Sequence, residues 1–267
     1  MKKLLCCGGL LIATLGVQAT PLFSDDFNTY SPGNLVGQGT WAQTGASATT
    51  PIQVSGGKAV LGTSGQDAYS PLPGGPITLA DGENFYIGLT LNVATAQAGG
   101  DYFLHWSPTV GNTSTFIDRL FVKSTTGGYL LGWMETSGTG VVPSYGSTVL
   151  NFATDYRVVV AYHDVAGALN DTGSVYVNPF TDLNVELNNT PYVTKNWTSP
   201  TAETETIAAL NFRQGSAGSA AGVGIDNLNA SKLFSDVSTY TPIPEPASLS
   251  LLGGFGLLAW WSTRRRK

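Results

Sequence analysis

A chain of 267 residues, 42% apolar, 10% aromatic and only 12% charged, is too apolar for disorder and has room for one large domain or two small ones. Six of its 13 Lys and Arg lie in residues 1–19 or 239–267 against one of its 18 acids, so the remaining body has 7 bases, 17 acids and a net charge near −10. That balance excludes nucleic acid and anionic lipid as partners, and because Cys6 and Cys7 both stand near the start, the body has no disulfide framework.

In chain order, Met1-Lys2-Lys3 is a positive start, Leu4 to Val17 is an apolar run, and Val17-Gln18-Ala19 is a small-residue cleavage site. These predict a signal peptide over residues 1–19, cut between Ala19 and Thr20. Cys6 and Cys7 sit inside the apolar run and read as small apolar residues rather than lipid attachment sites. The body then breaks into short strands. Ile52 to Leu61 is a hairpin about Gly56-Gly57. Phe85, Ile87, Leu89, Leu91 and Val93 alternate with Tyr86, Thr90 and Asn92, which predicts one buried and one outer face. Strands follow at Asp101–Trp106, Arg119–Lys123, Tyr129–Met134, Tyr156–Tyr162, Ser174–Val177, Ile207–Phe212 and Val223–Leu228. A second hairpin turns at Gly127-Gly128. No stretch sustains a 3.6-residue apolar period. About ten to twelve strands at this spacing predict an antiparallel sandwich over residues 20–238. The last segment, 239–267, holds Pro244-Glu245-Pro246, an apolar run from Ala247 to Trp261, and Arg264-Arg265-Arg266-Lys267. As a helix the run reaches about 20–24 Å, short of the ~30 Å hydrocarbon core. It suits a transient anchor at least as well as a lasting one.

The tail resembles the PEP-CTERM sorting signal in all three parts and in their order. That resemblance implies export through the inner membrane by the secretion machinery. It also implies processing by an exosortase-type membrane peptidase, a surface or extracellular destination and an exopolysaccharide setting. The body resembles concanavalin A-like or laminin-G-like jelly rolls. The matching pieces are Phe23-Ser24-Asp25-Asp26-Phe27, Asp155 to Tyr162 with Gly173 to Pro179, and Gly224 to Leu228. The fold expected is therefore all-β, an antiparallel two-sheet jelly-roll sandwich flanked by the signal peptide and a C-terminal hydrophobic helix. The resemblance places the first and last strands side by side, with both termini leaving from one edge. Many such domains hold a structural calcium where those strands meet, which points to Asp25, Asp26 and Asp226.

Catalytic patterns are scarce. Glycosidases need two facing carboxylates, and the Glu-x-Asp-x-x-Glu pattern of hydrolases on this fold does not occur. Glu203 and Glu205 are spaced by two but sit in a Thr-rich stretch and read as a solvated strand edge. Asp25 and Asp26 point to opposite faces. His105 and His163 are not at ligand spacing and read as packed or turn histidines, which makes zinc a poor fit. Sugar sites use exposed aromatic faces. Trp106, Trp133, Tyr102 and Tyr129 lie in strands and read as core, and Trp197, in a polar loop, is the aromatic expected to be exposed for carbohydrate. The expectation is a non-enzymatic surface or matrix protein that binds glycan. The alternative is a polysaccharide-active hydrolase or lyase on the same fold.

Overall fold

The computed structural model describes residues 21–238, apart from 47–48, 137–140, 180–184, 199–202, 216–217 and 219. The signal peptide, its cut site at Ala19 and Thr20, and the tail with Pro244, Glu245, Pro246, Arg264, Arg265 and Arg266 lie outside the described residues.

Two antiparallel sheets pack face to face. With strands numbered in chain order, the nine-stranded sheet runs β15 (Val193–Asn196), β14 (Thr172–Val177), β13 (Asp155–His163), β8 (Asn84–Thr95), β18 (Gly222–Ser231), β5 (Lys58–Leu61), β4 (Gln53–Ser55), β2 (Gly33–Asn34). Its ninth strand, β1 (Phe23–Asp25), also pairs with β18. The seven-stranded sheet runs β12 (Ser144–Tyr145), β11 (Gly128–Met134), β10 (Ile117–Thr125), β9 (Asp101–Ser107), β17 (Ala209–Phe212), β6 (Asp67–Pro71), β3 (Ala42–Thr44). A small ribbon pairs β7 (Ile77–Thr78) with β16 (Thr206–Ile207).

Period-two patterning determines which side chains meet. Phe85, Ile87, Leu89, Leu91 and Val93 of β8 are fully buried between the sheets, while Tyr86 lies in a separate cluster on the outer face. Phe85 meets Trp106 of the opposite sheet edge-on at 5.5 Å, and Trp106 meets Tyr162 at 5.9 Å. Each such burial contributes about 1.5–3 kcal/mol. Gly173 has no side chain because a Cβ there would stand 2.0 Å from the Trp133 ring. The hairpin at Gly56-Gly57 forms as predicted, with positive φ at both glycines. The first and last strands pair, Phe23 opposite Ala230 and Asp25 opposite Leu228. β18 itself lies inside the sheet, with β8 on its other side, and β1 pairs with β18 alone.

After β18 the chain forms one short helix, α1 (Phe234–Ser238), on the outer face of the nine-stranded sheet. Phe234 and Val237 pack on Tyr86, Val159, Ala161 and Tyr176. Arg157 fixes its end by donating from Nε (3.0 Å) and Nη2 (2.5 Å) to the Val237 carbonyl, and from Nη1 (2.8 Å) to the Asn227 carbonyl. Among the described residues no helix is long and apolar enough to cross a membrane.

Candidate binding face

Two β-bulges organise the outer face of the seven-stranded sheet. Ile117 pairs with Trp106 and Leu120 with Leu104, so β10 carries one extra residue. Asp118 takes up that residue with a left-handed φ of 47°. The next pair, Phe121 with Tyr102, leaves an extra residue on β9 instead. Ile117, Leu120 and Val122 therefore all enter the core, as do Phe103 and Leu104. The side chains between them turn outward. Bulges re-aim side chains in this way, and here they bring Tyr102, Arg119 and Phe121 onto one outer patch.

The patch is aromatic and cationic. Tyr102, Phe121 and Met134 form its apolar floor, with Phe116 and Tyr145 packed against them. The Arg213 guanidinium lies 4.3 Å from the Tyr102 ring centre, and that of Arg119 lies 5.1 Å from it and 5.8 Å from Phe121. Lys123 Nζ stands 3.9 Å over the Tyr145 ring. Cation–π contacts of this kind add about 0.5–2 kcal/mol each. Arg213 donates to Asp101 Oδ1 at 2.7 Å, and this hydrogen bond and the Asp101 charge outweigh burial and raise its pKa. His105 packs edge-on against Phe116 at 4.8 Å and Tyr102 at 5.5 Å. It is 3% exposed, and neither ring nitrogen has a hydrogen-bond partner. Burial, reinforced by Arg119 and Arg213, pushes its pKa down to about 3, so the ring is neutral. Beside it opens a cavity of about 200 Å³ lined by Thr44, Asp67, His105, Phe116, Phe212 and Arg213. Asp67 accepts the Gln214 N–H at 2.8 Å, and its pKa is raised by burial.

The residues singled out by the sequence fall elsewhere. Trp197 is 5% exposed and belongs to the main core, which corrects its expected place on the surface. Its N–H donates to the Asp171 carbonyl at 2.7 Å, so the loop folds inward over the sandwich. Glu203 is no solvated edge: its carboxylate accepts the N–H groups of Leu169, Asn170 and Asp171. His163 Nε2 meets Glu186 at 2.6 Å, and Glu186 also accepts the hydroxyls of Tyr86 and Tyr176. That network lines a second, wider cleft of about 700 Å³ beside α1.

The three aspartates proposed for calcium lie around the β1–β18 junction, and they are engaged to different degrees. Asp25 accepts the Phe27 N–H (2.9 Å), the Tyr30 hydroxyl (2.8 Å) and the Trp41 indole N–H (2.7 Å). These take three of roughly four carboxylate lone-pair positions. Asp26 accepts from Asn28 N–H and Asp226 from Asn227 N–H, each in a local turn. Among the described residues no group of three or more His, Cys, Asp or Glu could hold a metal ion. Asp25 is thus filled by protein donors and has little capacity left for a cation.

The outer patch was barely legible in the sequence. Tyr102 reads as a strand aromatic, but Arg119 and Arg213 carry no motif. Their only signal is an Arg beside mostly apolar strand residues, Leu120 to Val122 and Ala209 to Phe212.

Among curated proteins nothing matches the chain. Among solved structures it is similar to the CBM2 module of the evolved Dit of Lactobacillus casei phage J-1, at 10% identity and TM-score 0.47, covering 83% of this chain and 97% of the other. It is similar to the Emp47p carbohydrate recognition domain at 14% identity and TM-score 0.44, covering 80% and 98%. It also resembles the botulinum neurotoxin serotype D binding domain at 10% identity and TM-score 0.47, covering 82% of this chain and about half, 49%, of that one. Likenesses this distant assign no ligand. The tail is different in kind: residues 242–267 match the PEP-CTERM protein-sorting motif, so the chain is an all-β sandwich that carries this export signal at its C-terminal end.

Proposed function

We propose that the protein is an exported, non-catalytic surface or matrix component that binds glycan on the outer face of its seven-stranded sheet. The sorting motif would deliver it, and an exosortase-type peptidase would process the tail. The observation that carries the reading is the patch itself. Phe116 and Tyr145 stand partly exposed over a buried floor of Tyr102 and Phe121, beside polar groups whose hydrogen bonds are unused, His105 above all. Sugars need that pairing: their C–H faces pack on rings while their hydroxyls find donors and acceptors at the rim. Buried polar groups otherwise find partners in more than nine cases in ten.

The test is binding of the exported protein to a glycan array that includes the host's own exopolysaccharide. Tyr102→Ala and Phe116→Ala should each lose binding while unfolding cooperatively like the parent. Parent protein that binds no glycan on the array would remove this function.

A further inference from the structure

We infer that this face selects an anionic sugar, and that Arg119 is the residue that receives the sugar's negative group. The inference rests on the glycan-binding reading and sharpens it to a substrate class.

Arg119 is 5% exposed, and its Nε and Nη2 are buried with no hydrogen-bond partner. Among the described residues it makes no ion pair. A buried guanidinium left unpaired is costly, and protein interiors ordinarily give such a charge a carboxylate. Scarcity of acids is not the reason, since the body has 17 acids for 7 bases. Two of the acids close to Arg119 are committed elsewhere, and the third, Asp118, has its pKa raised well above the ordinary value, chiefly by burial. Glu135 is paired with Lys195 at 2.9 Å and accepts from Thr198. Asp101 is taken by Arg213. Asp118 precedes Arg119 at the bulge, and neither of its oxygens has a hydrogen-bond partner.

Arg119 and Arg213 also stand against one ring, that of Tyr102, at 5.1 and 4.3 Å. Two guanidiniums so placed repel each other; burial first lowers the Arg119 pKa and Arg213 adds to this, while a hydrogen bond with Tyr102 and the Glu135 charge oppose it only in part. An incoming carboxylate or sulfate ester would relieve that repulsion and satisfy the unused N–H groups. Guanidinium matches either group with paired, charge-assisted hydrogen bonds. The neighbouring rings of Tyr102, Phe116 and Phe121 favour an anion carried on a sugar over a bare ion, because they offer packing only to the former.

The experiment measures affinity of the exported protein for polygalacturonate, dextran sulfate and neutral dextran, each at low and high salt. Expected are tighter binding of at least one acidic polymer than of dextran, weakening of that binding by salt, and its reduction by about tenfold or more in Arg119→Gln. The two acidic polymers separate carboxylate from sulfate as the group received. Lys58→Gln, on the other sheet, should leave affinity unchanged. Arg119→Gln also removes the cation–π contacts with Tyr102 and Phe121, so urea unfolding checks that the variant is native under the binding conditions. Equal, salt-independent binding of all three polymers, or acidic binding untouched by Arg119→Gln, would overturn the inference and leave glycan binding standing. Failure to bind any polymer or any arrayed glycan would instead remove the function beneath it.

Discussion

Replacing Asp118 with Asn should make the protein more stable at neutral pH. Asp118 is 1% exposed, both carboxylate oxygens lack partners, and its backbone is left-handed at φ 47°. Burial first, then Asp171 and Glu135, raises its pKa well above the ordinary carboxylate value, and Arg119 opposes this only in part. Below the unfolded pKa near 3.8 both states hold the proton, and this residue adds no pH dependence. Above it the unfolded chain releases the proton and the folded chain keeps it. The unfolded state is then favoured by up to about 1.4 kcal/mol per pH unit until the folded residue also ionises. Asn has the same shape, no proton to hold and a greater tolerance of left-handed backbone. Asp118→Asn should therefore match the parent within about 1 kcal/mol at pH 4 and exceed it by about 1–3 kcal/mol at pH 7. Urea unfolding followed by tryptophan fluorescence at pH 4, 5, 6 and 7 reads the difference, in which the other buried acids, Asp171 and Asp164, largely cancel. A variant less stable than the parent at pH 7, or a gain of equal size at both ends of the range, would show that Asp118 is paired or solvated and that this reasoning fails.

Trp197→Ala should cost about 3–5 kcal/mol, as loss of a core aromatic does. A loss under 1 kcal/mol in urea would place the ring back in solvent. Asp25→Ala removes the acceptor of three donors and should cost about 3 kcal/mol, equally in calcium and in chelator. A parent melting temperature that climbs with millimolar calcium would contradict the filled carboxylate. Arg157→Ala should lower hydrogen-exchange protection in residues 234–238 while leaving the β8 amides unchanged, and equal protection in both would mean that α1 is held by Phe234 and Val237 alone. Intact-mass analysis of protein exported by its host should find the chain ending near Pro246. Recovery of material ending at Lys267 would exclude removal of the tail.

The sequence by itself determined the β-sandwich, the two faces of β8, the Gly56-Gly57 hairpin and the sorting motif. These are local properties. A period of two or a Gly-Gly turn is written in consecutive residues, and the tail's three parts are contiguous. Tertiary structure alone decided Trp197, Glu203 and Asp25. A polar loop says nothing of which sheet it will fold across, and Asp25's three donors come from a following turn and from Trp41, 16 residues on. The binding face was the least legible part. Arg213 and Asp101 are 112 residues apart, and Arg119 reaches Tyr102 only because two bulges offset the register of β9 and β10. A bulge shifts every later side chain of its strand to the opposite face, so one extra residue at Asp118 decides which charges meet which rings.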